Sequence, residues 1–130
     1  MLWERTTLDR GLVELAISIT GRFWEANVEC AAHAPRAIEY GIASEVLDAV
    51  FEERRPDFAP EEQLLLYDVC MALHRNRALS GSLHARAVSM FGEQGVVELI
   101  SVIGFYALVS MTLNAFEIPV APGVDAPFDR

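Results

Sequence analysis

The strongest constraint on this sequence is a long apolar run near its C-terminal end. From Gly95 to Phe116 the chain is almost continuously apolar, and the run is roughly long enough for a helix that spans a bilayer. Glu98 and Asn114 lie inside it, several serines and threonines accompany them, and no lysine or arginine anchors flank it. A helix buried in an oligomer fits these features better than a transmembrane helix. We therefore expect one long buried helix and no membrane span.

Composition predicts a single globular domain that associates with itself. The chain has 130 residues, of which 52% are hydrophobic and 22% are charged, so disorder is not expected and residues 1–130 form one domain. The hydrophobic share is high for a small monomer, whose surface is large relative to its core. We therefore expect part of the apolar surface to lie in a subunit interface of a homo-oligomer.

Charge and cysteine content exclude several classes of function. Acidic residues outnumber basic ones by 19 to 10, and a surface with a net charge of −9 repels nucleic acids and anionic membranes. An anionic substrate would need local cations. Cys30 and Cys70 are far apart and form no disulfide framework, and the first ten residues, MLWERTTLDR, contain no apolar signal segment. We expect a cytoplasmic protein.

Apolar residues recur at helical spacing along the chain, and no segment alternates as a strand would. The pattern predicts an all-α bundle of about six helices. They run from about Leu8 to Thr20, from Phe23 to Tyr40, from Ser44 to about Phe51, from Pro60 to about Leu73, from Ser80 or Ser82 to Gly92, and from Glu93 to Glu117.

Local signals suggest how these helices begin and end. Thr7 and Ser44 are predicted to cap the first and third helices, and Pro60 to occupy the first position of the fourth. Pro35 should bend the second helix, and Gly41 should end it in a left-handed conformation. Pro119 closes the last helix, and residues 117–130 are expected to be a loose tail.

Two carboxylates and one histidine are the candidates for chemistry. Glu29 and His33 are four residues apart, so they share one face of the second helix. A carboxylate beside an imidazole fixes its tautomer and favours its protonated form, as in general acid–base catalysis. Glu14 lies in a run that otherwise appears buried, and it therefore needs a partner such as His33 or Arg22. From spacing alone, a solvated surface pair remains an alternative for Glu29 and His33.

Other kinds of site have less support. Carboxylate and imidazole at helical spacing can bind iron or zinc, but His74 and His84 have no matching carboxylate, so no metal site is predicted. Both are expected to be surface residues. The sequence contains no nucleophile-elbow GxSxG motif, and its glycines are scattered rather than grouped in a phosphate-binding loop.

The spacing of the three residues resembles that of a known family. Glu29 follows Glu14 by fifteen residues and His33 follows Glu29 by four, which is similar to the carboxymuconolactone decarboxylase family of the alkylhydroperoxidase D-like superfamily. In the peroxidase branch a CxxC pair would occupy the positions of Ala26 and Glu29. The decarboxylase-like pattern EWxxH is matched here except that Cys30 replaces the tryptophan.

The resemblance extends from about Leu2 to Val120. It is carried also by LWERTTLDRGLVELAI, HAPRAIEYGIASEVLDAV and GFYALVSMTLNAFEIPV. It implies an all-α fold that assembles as trimers or hexamers, with the sites close to subunit contacts. It also makes the Glu–His pair a site rather than a surface contact. One fold can host several chemistries, so the reaction does not follow from the resemblance.

The first functional hypothesis is a cofactor-free lyase or isomerase acting on a small carboxylated lactone or ring acid. A protonated His33 would stabilise the enolate-like anion left by decarboxylation and return a proton to carbon, with Glu29 orienting its ring. Glu14 would hold the ring of the substrate or relay the proton. Arg22 or Arg36 would bind the substrate carboxylate.

Two alternatives belong to other classes. The first is a thiol-dependent peroxidase of the alkylhydroperoxidase type, in which Cys30 would react with peroxide and an external thiol would resolve the product. The second is a non-catalytic oligomeric protein that uses the same pocket to bind a ligand.

Overall fold

The computed structural model describes residues 5–128 and is entirely helical over that range, with no strand. The helices are α1 (Arg10–Phe23), α2 (Asn27–Glu39), α3 (Ser44–Phe51), α4 (Glu61–Asn76) and α5 (Gly81–Ala115). Together they form one domain. The all-α prediction is confirmed, although five helices are found where about six were expected.

Helix α1 is the centre of the bundle and packs against the other four helices. Every residue from Gly11 to Gly21 is buried, so this helix has no solvent face along most of its length. The core around it is formed by aliphatic side chains from all five helices. Because α1 is enclosed, the polar side chains that it carries are forced into contact with groups on its neighbours.

The junction of α1 and α2 lies later in the chain than predicted. α1 continues to Phe23 and α2 begins only at Asn27, with Glu25 in the left-handed region at φ 52°. A Cβ atom at Gly21 would lie 2.9 Å from the Sγ atom of Cys30 and 3.2 Å from Cβ of Glu29. The absence of a side chain at Gly21 therefore allows α2 to approach α1 closely where Glu29 and Cys30 are carried.

The predicted helix ends are confirmed in part. Gly41 has φ 102° after the end of α2, and the Ser80 hydroxyl accepts a hydrogen bond from the Leu83 amide at the start of α5. Thr7 and Ser44 do not act as caps. The N-cap positions of α1 and α3 are Asp9 and Ala43, and neither side chain makes a capping bond.

Two of these differences have a local reason. The Thr7 amide and hydroxyl both donate to Glu98 on α5, at 2.9 and 2.8 Å, so Thr7 joins α1 to α5 instead of capping α1. Pro60 is the N-cap of α4 rather than its first residue. α2 runs through Pro35 to Glu39, and a bend at Pro35 stays a prediction.

The predicted fifth and sixth helices form the single element α5. Gly92 interrupts its helical backbone, with φ 76° and ψ 164°, at the residue where the sequence predicted a break. Glycine adopts a positive φ without the steric penalty of a Cβ atom, so the chain can kink at Gly92 and continue as a helix. The difference in helix number arises at this residue.

One face of α5 is apolar and exposed. Buried residues such as Leu99 and Val102 face the core, whereas the opposite side carries large exposed apolar side chains, namely Val97, Ile100, Phe105, Leu108 and Met111. We call these five residues the α5 face. By length and composition α5 is the one helix within residues 5–128 that could cross a membrane. Only 28% of its most apolar window is buried inside the fold. The expected burial of this helix is therefore not provided by the single chain.

The C-terminal segment has no helix, but it is not loose. The Asn27 side chain donates to the carbonyl of Phe128 at 3.0 Å and accepts from its amide at 2.7 Å. The ring of Phe128 contacts the ring of Phe51 edge to face and lies beneath the guanidinium of Arg22. The expected loose tail is thus anchored across the bundle at residue 128.

Candidate functional site: an imidazole between two carboxylates

Glu14 and His33 form a short, buried contact between α1 and α2. The Nδ1 atom of His33 lies 2.6 Å from Oε2 of Glu14, where the ring N–H donates to the carboxylate. Glu14 is 1% exposed and His33 is 7% exposed. Hydrogen bonds to a charged acceptor in such surroundings are strong, and this one fixes the orientation and the tautomer of the imidazole.

Glu29 lies at the other ring nitrogen. Its Oε2 atom is 3.5 Å from Nε2 of His33, too far for a good hydrogen bond, and has no hydrogen-bond partner among residues 5–128. That Glu29 orients the imidazole stays a prediction, because its contact with the ring is an ion pair and not a hydrogen bond. Although the spacing of four residues brings Glu29 near the ring, packing of α1 against α2 gives Glu14 the shorter contact. We call Glu14, His33 and Glu29 the Glu–His–Glu cluster.

The surroundings of the two carboxylates displace their pKa values in opposite directions. Burial tends to raise the pKa of Glu14, but the hydrogen bond and charge of His33, aided by Arg10 and Arg36, lower it below its ordinary value. Burial also raises the pKa of Glu29, and the charges of His33 and Arg36 do not offset that effect. Glu14 is thus the ionised carboxylate, and Glu29 is the one that retains a proton more readily.

Two arginines are close to the cluster, and only one of them was predicted. The Nε atom of Arg10 lies 3.4 Å from Oε1 of Glu14, one helical turn away on α1. Arg36 is exposed on α2, and its charge lowers the pKa of both carboxylates. The spacing of Arg10 and Glu14 is visible in the sequence and could have identified Arg10 as a further cation.

Arg22 is not brought to this cluster. It lies two turns beyond Glu14 on α1. There its Nε donates to the carbonyl of Phe51 at 2.9 Å, and its Nη2 lies 2.5 Å from Oε1 of Glu53. A weaker contact joins it to Glu25 at 3.8 Å. Arg22 was expected to bind a substrate carboxylate beside His33, and this role has no support. Its partners Phe51 and Glu53 lie at the end of α3 and just after it, away from His33.

Tyr106 of α5 completes the surroundings of the imidazole. Its ring meets that of His33 edge to face, with the centroids 5.3 Å apart. Tyr106 could not be predicted from the sequence, because a residue so distant along the chain gives no local signal of this contact. The aromatic ring places an apolar wall beside His33 and limits the access of water.

The other two histidines differ from each other. His84 is exposed, as expected. His74 is not a surface residue, since its Nε2 lies 3.0 Å from the Thr20 hydroxyl and its ring stacks on Phe23. Burial lowers the pKa of His74 to about 4, so this imidazole is neutral at physiological pH.

Both cysteines are buried free thiols. Cys30 is 1% exposed and its Sγ atom lies 3.7 Å from the carbonyl of Ser18, and burial raises its pKa to about 12. Burial also raises the pKa of Cys70. Reactive thiols are accessible and have a lowered pKa, so neither cysteine has the environment of a peroxide-reducing group.

No group of three or more histidine, cysteine, aspartate and glutamate residues in the described range could hold a metal ion. In the Glu–His–Glu cluster both ring nitrogens of His33 face carboxylate oxygens of Glu14 and Glu29. The arrangement therefore favours proton transfer between side chains. Searches among family models, curated proteins and solved structures find no match to this chain, so the family resemblance stays an expectation.

Proposed function

We propose that this chain is a carboxymuconolactone decarboxylase-like lyase or isomerase that moves protons on a small carboxylated lactone or ring acid without a cofactor. The observation that carries the proposal is the imidazole of His33 held 2.6 Å from Glu14 at one nitrogen and 3.5 Å from Glu29 at the other. A base and an acid with oppositely displaced pKa values flank one ring. Such pairs are typical of acid–base sites.

The geometry divides the roles between the two carboxylates. Glu14 is 1% exposed and ionised, so it holds the imidazole through Nδ1. Glu29 and His33 are each 7% exposed, so a substrate would have to approach the cluster from their side. This assignment reverses the roles given to Glu14 and Glu29 from spacing alone.

Decarboxylation by this cluster is balanced in atoms and protons. The bond between the ring carbon and the substrate carboxylate breaks, carbon dioxide leaves, and the electron pair passes into the neighbouring carbonyl to give an enolate. Nε2–H of His33 then protonates carbon, and the carboxyl proton of Glu29 returns to Nε2. Solvent restores the proton on Glu29. In an isomerisation, the same groups remove a proton from one carbon and return one to another.

The cations near the cluster fit an anionic substrate. Arg36 is exposed and close enough to lower the pKa of Glu29, so it can pair with a carboxylate that approaches His33 from solvent. Because the chain as a whole is strongly acidic, this local positive charge would decide where such a substrate binds.

Self-association belongs to the same proposal. The α5 face carries five large apolar side chains that are each 40–62% exposed, and exposed apolar patches mark interaction sites. We propose that a homo-trimer or hexamer covers this face in the cytoplasm. Tyr106 and the α5 face belong to the same helix, which would place the Glu–His–Glu cluster near a subunit contact.

The function is tested by turnover of carboxylated lactones in deuterated water. We expect product with one solvent-derived deuterium at carbon, a fall of about 100-fold or more for His33→Gln, and no change for His84→Gln at an exposed histidine. Full turnover by His33→Gln would disprove the proposal. Saturable binding without turnover by the wild-type protein would instead show a ligand-binding protein.

A further inference from the structure

A cavity open to solvent lies at the opposite end of α1 from Arg10. It has a volume of about 190 Å³ and is lined by the C-terminal ends of α1 and α3 together with α4. Ile19, Val50 and Met71 supply apolar walls. None of Glu14, Glu29 and His33 lines it, so this cavity is separate from the Glu–His–Glu cluster.

The charged groups at this cavity are not equivalent. Arg22 is fully engaged, because it donates to the carbonyl of Phe51 and pairs with Glu53 and Glu25, which also line the cavity. Arg75 is exposed and forms no ion pair with residues 5–128. These three engaged groups carry a net charge of −1, because one arginine faces two glutamates, and Arg75 is the remaining cation among the lining residues.

Tyr67 provides a hydrogen-bond donor beside this cation. It is 7% exposed, lines the cavity from the same helix as Arg75, and its hydroxyl makes no hydrogen bond within the described part of the chain. Burial raises the pKa of the phenol and the charge of Arg75 only partly offsets this, so the hydroxyl keeps its proton. The hydroxyl oxygen is not among the buried atoms that lack a partner, so it reaches solvent, and a ligand in the cavity can replace water as the acceptor of its proton.

We propose that this cavity binds a small monocarboxylate with an apolar body, its carboxylate accepting from the Tyr67 hydroxyl and pairing with Arg75. A dry cavity of about 150 Å³ holds one benzene molecule, so 190 Å³ suits one substituted ring or a branched aliphatic acid of similar size. Glu25 and Glu53 at the rim disfavour a second negative charge.

Binding can be located with methionine methyl groups as reporters. Met71 lines the cavity, whereas Met90 and Met111 do not. On titration of full-length protein, carrying ¹³C-methyl methionine, with benzoate, we expect a saturable shift of the Met71 signal, assigned with Met71→Leu, and no shift of the other two. Absence of any Met71 shift with benzoate, phenylacetate and isovalerate at millimolar concentrations would overturn the proposal.

Variants test the carboxylate contacts. Arg75→Gln and Tyr67→Phe should each weaken benzoate binding about tenfold, as expected for loss of a hydrogen bond to a charged group. Arg77→Gln removes the same charge two residues away, outside the cavity, and should leave binding unchanged. Equal weakening by Arg75→Gln and Arg77→Gln, or equally tight binding of benzyl alcohol, would contradict specific recognition of a carboxylate.

Discussion

At the scale of single residues, the Glu–His–Glu cluster combines contacts of different origin. The Glu29–His33 proximity follows from helical spacing and could be predicted from the sequence. The shorter contact of Glu14 with His33 depends on how α1 packs against α2, and the sequence left His33 and Arg22 as alternative partners of Glu14. The wall provided by Tyr106 could not be predicted, because it is a contact between distant helices.

The two carboxylates should respond oppositely to neutralisation. Glu14→Gln removes the charge that binds His33 and weakens their hydrogen bond, and it should lower the free energy of unfolding at pH 7 by about 2 kcal/mol. Glu29→Gln removes a buried carboxylate whose raised pKa shows that its charged form is disfavoured, and it should leave stability unchanged or increase it. Urea denaturation measures both variants. Equal destabilisation by the two would contradict the assigned charge states.

The contribution of Glu14 should depend on pH in one direction. Its pKa is lowered in the folded chain from a reference of 4.5, so the folded state favours the ionised form. The resulting stability is fully present above pH 4.5 and is lost as pH falls through the folded-state pKa. The difference in unfolding free energy between wild type and Glu14→Gln should therefore shrink below pH 4.5. A difference that grew with acidification would refute this reasoning.

At the scale of helices, sequence periodicity found the elements but misplaced several ends. Ser80 and Gly41 act as predicted because their effect is local, whereas Thr7 is diverted to Glu98 by a contact between α1 and α5. The close approach of α1 and α2 at Gly21 is likewise invisible in the sequence, since it requires knowledge of which helices are neighbours.

Two glycines provide a matched test of this close approach. Gly21→Ala would place a Cβ atom 2.9 Å from Sγ of Cys30, and we expect a loss of about 1–3 kcal/mol in unfolding free energy. Gly81→Ala, at the first residue of α5, meets nothing within 4 Å and should leave the unfolding free energy unchanged or slightly higher. Thermal unfolding of both variants decides the point. Stabilisation by Gly21→Ala would show that the helices are farther apart.

At the scale of the whole molecule, the single chain buries only one side of its longest apolar helix, α5. The sequence predicted burial of this helix, but the fold buries only its inner side, and the α5 face remains exposed. Composition could indicate the excess of apolar surface, although it could not locate it. The location depends on the fold, because only the packing of α5 separates its buried side from its exposed side.

A single charge introduced into the α5 face should disrupt self-association. Leu108→Glu places a carboxylate at a residue that is 57% exposed in the single chain, and it should shift the protein from oligomer to monomer in light scattering. Phe58→Glu, at a similarly exposed apolar residue in the α3–α4 loop, should not change the mass. An oligomer unaffected by Leu108→Glu, or a wild type that remains dispersed only in detergent, would contradict a soluble interface on this face.

The central claim is that Glu14 holds the imidazole of His33 through Nδ1, and ¹⁵N-edited NMR of the histidine rings tests it most directly. At neutral pH we expect a downfield, slowly exchanging proton on Nδ1 of His33. That signal should disappear in Glu14→Gln and persist in Glu29→Gln, while exposed His84 shows no such proton. A His33 ring that exchanges as fast as that of His84, or a signal lost in Glu29→Gln and kept in Glu14→Gln, would contradict it.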